Sequence, residues 1–487
     1  MTEEKEPQYL QAIRLVNDLI IPFLSSSDEV FIKYNNGIYT EIHPIRSSRL
    51  KQIIGAKYYR EKQRALDRDS YEKIRDHYSA MAYQQNIKEP TFIRVTLFEG
   101  AIYYDLANNQ GEVVKITPDG WEITSNISVN FVRPKSMLPA ATPVRENASI
   151  LPLKDHLGIQ GHDDFYLVIG FILGALYKPP HVIMIHNGEQ GTGKSTKSKM
   201  ISQIIDPSST PLISKPNSER DVFISASKTH LISYDNLSGL KSWASDTFCI
   251  LSTGGGFRTR MLYTDDEEKI FNVAKPIQMN GIDDIATRGD LIDRSIILSH
   301  AVISPSQRTP EDILWQRFNR DLPQIMGGIF DALSTGLRNL PSTSLSEVPR
   351  MADFSLFSCA ASESFGATSE VFMRAYKNNL HRANRASLEL NPISNALIEF
   401  INDSIRNPEA SWQGTMTNLR ERLMFYIPDD LHNSRFIPKT PQALSNALKR
   451  LAPMLRGQDI FQEELQRTSS SRNFRIYKAV TDDSDDN

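Results

Sequence analysis

Cysteine is nearly absent from this chain: Cys249 and Cys359 are the only two in 487 residues. They lack the paired spacing of a metal site, which excludes a disulfide framework and a zinc ribbon and suits a reducing compartment. Long hydrophobic runs are missing too. The longest, Phe165 to Tyr177, falls short of the about 20 residues a membrane helix needs. It is expected to be a buried helix, with no membrane partner. The charged N-terminus, Met1-Thr2-Glu3-Glu4-Lys5-Glu6, has no secretory pattern, and a cytoplasmic protein is expected. Charge of one sign is also lacking. With 55 Lys and Arg against 58 Asp and Glu, the formal net charge is −3. The whole chain is therefore no polybasic coat for nucleic acid, and any such surface must be a local patch.

What is present is a glycine-rich turn. Gly188-Glu189-Gln190-Gly191-Thr192-Gly193-Lys194-Ser195-Thr196 follows the apolar run Val182-Ile183-Met184-Ile185 and precedes a helical pattern. That is G-x-x-x-x-G-K-S between a strand and a helix. Glycines let the backbone curl so that its N–H groups face phosphate oxygens, and the helix N-terminus favours negative charge. Gly188, Gly191, Thr192, Gly193, Lys194, Ser195 and Thr196 are the expected cofactor contacts. Lys194 would reach the β- and γ-phosphates of ATP, and Ser195 would ligate Mg²⁺. The competing reading is a chance strand–turn–helix.

The chain divides by composition into about three folded parts. Residues 1–134 mix helix and strand signals, with helices expected over Tyr9–Ile20 and Asp67–Tyr83. Strands are expected at Phe92–Val95, Ile102–Asp105, Val113–Ile116, Trp121–Thr124 and Val129–Val132. Asp105 and Glu112 lie close together there, and the expectation for both is solvation. Residues 135–152 read as a proline-rich linker, 153–340 as an ATPase core, 341–390 as a helical extension and 391–480 as a small separate domain. Residues 481–487 form an acidic tail expected to be disordered. No internal repeat is evident.

Beyond the loop, His230-Leu231-Ile232-Ser233-Tyr234-Asp235 is an apolar run ending in a carboxylate. Asp235 is the expected partner of Ser195 at the metal. The next position, where related ATPases carry an acid to orient water, is Asn236. An amide can hold water but cannot take its proton, so hydrolysis is expected to be slow or to use another carboxylate such as Asp246. Asp246 reads equally well as a cap or surface residue. Pro276-Ile277-Gln278-Met279-Asn280 is a third strand, and Asn280 at its end could sense the γ-phosphate or simply form a turn with Gly281. Arg288 and Arg294 precede another apolar strand. They read either as arginine fingers reaching a neighbouring subunit or as intrachain ion pairs with Asp290 or Asp293.

This order of parts resembles the superfamily-three helicases of the AAA+ class, and more closely the primase-associated ATPases of phages, plasmids and integrated mobile elements. The similarity rests on Gly188–Thr196, Tyr234–Ser238, Leu251–Asp265, Met279–Gly281, Asp290–Arg294 and Arg350–Phe354. It implies that Thr253–Asn272 is a hairpin projecting into a ring channel, with Arg258, Arg260 and Lys269 on single-stranded DNA. The tip, Thr264-Asp265-Asp266-Glu267-Glu268, is acidic where a DNA grip should be cationic. A solvated hairpin is the competing reading. Arg350 resembles a nucleotide-sensing arginine, against core packing. The segment after 391 is similar to a winged helix, with Ser445, Asn446, Lys449 and Arg450 facing duplex DNA or else a protein partner.

The expected fold class is thus multidomain α/β: a central P-loop AAA+ ATPase between an N-terminal α+β domain and a C-terminal winged helix. The expected function is an ATP-dependent DNA helicase or translocase, a homo-hexameric ring replicating a mobile genetic element, with a primase or other replication protein as partner. Alternatives are an ATP-gated initiator or loader that does not unwind, a small-molecule kinase, and a phage–host conflict ATPase. No primase-like carboxylate cluster is evident, so primer synthesis is not assigned.

Overall fold

Helix α1 (Gln8–Val16), strands β1 (Ile20–Leu24), β2 (Val30–Asn35) and β3 (Thr40–Pro44), and helices α2 (Ser48–Lys62) and α3 (Arg68–Gln85) build the first layer. This computed structural model describes residues 6–260, 268–282, 285–404, 411–432, 434, 437–466 and 472–479. Apolar residues at helical spacing, Leu50, Ile54 and Tyr58 on α2 and Tyr71, Ile74 and Tyr78 on α3, bury against Ile20 and Ile32 of the antiparallel β1-β2-β3 sheet. Ser47 and Asp67 start the two helices by accepting the N–H groups of Leu50 and Ser70. The helix expected over 9–20 stops at Val16, because Ile20 opens β1.

Strands β4 (Thr91–Phe92), β5 (Val95–Phe98), β6 (Ala101–Asp105), β7 (Val113–Thr117), β8 (Gly120–Thr124) and β9 (Asn130–Phe131) follow. The strand expected at 92–95 is broken by Arg94, which adopts φ +63° and is wholly buried. Its guanidinium meets Asp206 Oδ1 at 3.0 Å and donates to the carbonyls of Asp105, Leu138 and Pro207. The solvated Asp105 expected from sequence is also corrected. Asp105 is fully buried and takes two hydrogen bonds from Arg133, at 2.6 and 2.8 Å. A carboxylate leaves water on such terms only with a paired cation. Glu112 is half-buried and accepts from Asn108.

After α4 (Pro152–His156) and the apolar α5 (His162–Leu176) comes the central layer. It contains β10 (Ile183–Asn187), α6 (Lys194–Ile205), α7 (Glu219–Ala226), β11 (Ile232–Leu237), α8 (Ser242–Thr253), β12 (Gly256–Arg260), β13 (Glu268–Asn272), β14 (Ile277–Gly281), α9 (Gly289–Ile292) and β15 (Ser295–Ser299). Four strands form a parallel sheet in the order β11-β14-β10-β15. Their residues are largely buried on both faces, and β14 is buried throughout even at Gln278 and Asn280. Helices α10 (Glu311–Asn339), α11 (Ala352–Ala361) and α12 (Ser369–Leu390) complete one face, where Met184, Ile296 and Leu298 share a core with α5, α6 and α10. The free edge of β15 is closed by α12. Asn379 accepts from the N–H of Ile297 and donates to its carbonyl, at 2.9 and 2.7 Å. Residues 135–152 are held against α10 through Val144 N–H to Pro323 and Ser149 N–H to Gln324.

The last part holds α13 (Pro392–Ser404), β16 (Ser411–Thr415), α14 (Met416–Met424), α15 (Pro441–Arg456), β17 (Ile460–Glu464) and β18 (Asn473–Lys478), with an antiparallel β16-β18-β17 sheet. Leu419, Leu448 and Ile476 pack into the same core as Ile183, Ile185, Ile277 and Met279 on the second face of the parallel sheet. This part therefore shares its core with the centre. Among the described residues no helix is long and apolar enough to cross a membrane.

Candidate functional site

The buried strand β10 ends at Asn187, where the chain turns over the sheet's C-terminal edge into α6. Gly188 has φ +152°, and a Cβ there would meet the carbonyl oxygen of His300 at 2.6 Å. Gly193 adopts the left-handed conformation directly before Lys194, the first residue of α6. Between them the loop presents its backbone toward the helix N-terminus, the arrangement that attracts phosphate. Thr192 is buried and donates to Glu189 O at 3.1 Å; Thr196 is half-buried. The Lys194 ammonium folds back over the loop, donating to the carbonyls of Gly188 and Glu189 at 2.6 and 2.7 Å. Burial lowers its pKa, and the nearby Asp235 carboxylate works the other way.

Ser195 and Asp235 are 40 residues apart in sequence and touch: the Ser195 hydroxyl donates to Asp235 Oδ1 at 2.8 Å. A hydroxyl and a carboxylate are hard oxygen donors, and Mg²⁺ is commonly held by one or two such groups plus phosphate and water. These two residues could hold it. Asn280 is buried in register on β14, beside β10 and β11. Its Oδ1 accepts the backbone N–H of Asn236 at 2.9 Å. Asn236 has φ +54° at an irregularity in the β11–β14 register, and its side chain is exposed at the sheet edge. Asparagine tolerates that conformation better than most residues.

Below Asn280, Gln278 ties the strand to α6. Its amide donates to Ser198 O, Ser202 Oγ and Ser233 Oγ at 2.8, 2.7 and 2.8 Å. Sequence reasoning passed over this polar column. Its signal was Gln278 and Asn280 two apart in an apolar strand, which places both on one face. A second unanticipated group lies on the other side of the loop. Lys197 donates to His300 Nδ1 at 3.0 Å, and His300 Nε2 and His186 Nδ1 are 2.9 Å apart. The lysine donor makes His300 Nδ1 an acceptor, so its Nε2–H donates to His186. Burial and the neighbouring lysines push His300 down to about 3 and leave both rings neutral at pH 7. Burial and Lys194 bring Lys197 to about 8. The chain after β15 then passes over the loop, with Ile303 N–H on Gly191 O, and the exposed Arg308 guanidinium lies against Gly191. Nothing in the spacing of the sequence marks Arg308.

The candidate arginines sit elsewhere. Ile183 N–H donates to Arg294 O, so Arg294 lies at the sheet's N-terminal edge, opposite the loop. It pairs with Asp290, and Arg350 reaches Asp290 and Asp293 at 2.8 and 3.7 Å. Arg288 pairs with Asp246 at 2.7 Å, which occupies the carboxylate considered as an alternative base. In the single chain all three arginines make intrachain ion pairs. Strands β12 and β13 pair antiparallel, with Arg258 opposite Ile270, Thr259 opposite Lys269 and Arg260 opposite Glu268. The side chains of Arg258, Arg260 and Lys269, and residues 261–267 at the expected tip, lie outside the described residues, as does the 481–487 tail. On α15, Asn446, Lys449 and Arg450 are exposed, but Ser445 is buried. Ser445 is therefore removed from the expected DNA face: it shares the inward stripe with Leu444 and Leu448.

Residues 160–385 match the family model of the actinomycete integrative conjugative element replication protein, and residues 393–484 match that of the AICE RepA C-terminal domain. Solved structures of the NrS-1 C-terminal region are also similar. One has 10% identity and a TM-score of 0.40, covering 98% of this chain and 100% of that chain. Another, of residues 305–718 of NrS-1, has 11% identity and a TM-score of 0.39 at the same coverage. Among curated proteins none matches.

Proposed function

We propose that this chain, whose residues 160–385 and 393–484 match family models of actinomycete integrative conjugative element replication proteins, acts in replication as an ATP-driven DNA helicase or translocase. The observation that carries this reading is the 2.8 Å contact between Ser195 and Asp235, which joins the glycine-rich loop to the end of a neighbouring parallel strand. In P-loop NTPases the nucleotide-bound Mg²⁺ is held by a loop Ser or Thr and an Asp at the end of a neighbouring strand. When bound, that ion would neutralise phosphate charge.

The chain's own residues divide the remaining work. Lys194 exchanges the carbonyls of Gly188 and Glu189 for phosphate oxygens. Loop N–H groups and the α6 N-terminus hold the β-phosphate. Asn280, fixed through Asn236 N–H, lies level with Asp235 and orients the γ-phosphate or its water. The strand order β11-β14-β10-β15 supports the AAA+ reading, with both β11 and β14 on the same side of the loop strand β10. Arg294 is on the wrong edge for its own loop, which supports a role in trans in a ring, a hexamer in our reading. Exposed Asn446, Lys449 and Arg450 on α15 support a DNA-facing winged helix, and a primase or another replication protein is the expected partner.

The test is ATP turnover with and without single-stranded DNA, comparing wild type with Lys194→Ala and Arg294→Ala. The motor reading expects DNA to stimulate the wild type. Both variants should lose turnover, with Arg294→Ala still binding ATP. Negligible turnover that DNA does not change would sink it. A second reading, an ATP-gated initiator or loader, is favoured by Asn236: an exposed neutral amide at the water-orienting position slows hydrolysis and suits a switch.

A further inference from the structure

Helix α2 and its flanks carry an unusual charge. From Arg46 to Arg68 there are eight Lys and Arg (Arg46, Arg49, Lys51, Lys57, Arg60, Lys62, Arg64, Arg68) against two acids, Glu61 and Asp67, in a chain whose net charge is −3. The helical period sorts them. Leu50, Ile53, Ile54 and Tyr58 turn inward, while Arg49, Lys51, Tyr59, Arg60 and Lys62 are exposed on the outer face. Arg64 is tied down by Tyr58 and Gln11. Among the described residues, Arg46, Lys57, Arg60, Lys62 and Arg68 have no ion-pair or hydrogen-bond partner for their side chains.

Ordinary solvated helices look different in this same protein. On α12 three of the four exposed Lys and Arg residues are matched by acids, Lys377 by Glu347, Arg382 by Asp164 and Arg385 by Glu389, and Arg374 alone of the four is unmatched. Unmatched cations crowded on one helix repel one another, and a polyanion relieves that repulsion. In their midst Tyr59 is 56% exposed, a large ring left in water. Cations interleaved with an exposed aromatic ring are what grips a single strand, since phosphates meet the charges and an unstacked base meets the ring. A duplex keeps its bases stacked and offers the ring nothing.

We propose that the outer face of α2, with Arg46 and Arg68 at its two ends, is a binding surface for single-stranded DNA. It rests on the reading of the chain as a protein that acts on DNA, and it gives the N-terminal layer, which lies outside both family matches, a role in holding the strand. Arg60, Lys62 and Arg68 contact phosphates and Tyr59 stacks on a base.

The test uses the full chain and a fluorescent oligo-dT, with affinity followed over a salt series. Arg60→Ala/Lys62→Ala/Arg68→Ala should flatten the plot of log affinity against log salt by about 2, at about 0.7 for each phosphate no longer neutralised. Tyr59→Ala should weaken binding by about fivefold to a hundredfold without changing that slope. ATP binding at the loop should be unaltered in both. Wild-type affinity and slope in both variants, with DNA binding lost instead in Lys449→Ala/Arg450→Ala, would overturn this surface and leave the motor reading standing. Equal loss of duplex or RNA binding in Tyr59→Ala would overturn the single-strand assignment. A wild type that binds no DNA would overturn both.

Discussion

Arg94→Met removes one charge from a buried junction between the first half of the chain and the loop helix. Arg94 is 0% exposed and its partner Asp206, the C-cap of α6, is 5% exposed. Methionine keeps most of the side chain's length, so the cavity term is small. What remains is a buried carboxylate without its cation, and the carbonyls of Asp105 and Leu138 without the guanidinium donor, while Pro207 O keeps the Leu138 N–H at 2.9 Å. Breaking a buried pair from one side costs about 3–5 kcal/mol. Asp206 keeps hydrogen bonds from Thr229 Oγ1 and His230 N, both 2.8 Å, which places the expected loss toward the lower end. Urea unfolding should show this as a lower midpoint with an unchanged slope. Arg94→Met/Asp206→Asn should regain part of the loss, because no lone charge is then buried and the amide oxygen can still accept from Thr229 and His230. The pH dependence has a definite sign. Burial raises the Asp206 pKa, but Arg94, His230 and the hydrogen bonds outweigh it, so the folded value lies below the ordinary one. The stabilisation is therefore present above the unfolded pKa of about 4 and is lost as pH falls through the folded value. A loss below about 1 kcal/mol in Arg94→Met, or no recovery in the double variant, would refute the buried-pair reasoning.

Three further outcomes follow from the site. Asn236→Asp restores a carboxylate in a conformation that Asp also tolerates, and kcat for ATP should rise by about tenfold or more; an unchanged or lower kcat would mean that water is activated elsewhere. Gly188→Ala forces a Cβ to 2.6 Å from His300 O at φ +152°, and should cost about 1–3 kcal/mol and abolish ATP binding; normal ATP affinity would contradict the loop geometry. Gln278→Leu takes one donor from Ser198 O and from each of two serine hydroxyls, which keep each other at 3.1 Å, and thermal unfolding should report a loss of about 1–3 kcal/mol.

The loop and its strand were legible in the sequence because glycine, lysine and serine at fixed spacing have few other uses. The pairing of Ser195 with Asp235 was legible only as an expectation, since a short strand ending in Asp is common by itself. Local patterns said less where tertiary contacts decide. Arg94 breaks a strand that its apolar neighbours suggest, because its partner Asp206 lies 112 residues away. Asp105 read as solvated for the same reason: its counterion Arg133 is distant in sequence. The inward side of Ser445 followed from the helical period of Leu444 and Leu448, but a hydroxyl in a basic helix invited the opposite placement. Arg308 and the His186–His300–Lys197 chain carry no spacing signal, because three separate segments meet to form them.

The central claim is that nucleotide held by Lys194, Ser195 and Asp235 drives movement on DNA. It is tested most directly by displacement of a labelled strand from a forked duplex with ATP and Mg²⁺, comparing wild type with Asp235→Ala. The account expects ATP-dependent displacement by the wild type and none by the variant. ATP binding and DNA binding without any strand displacement would contradict it and leave an ATP-gated loader.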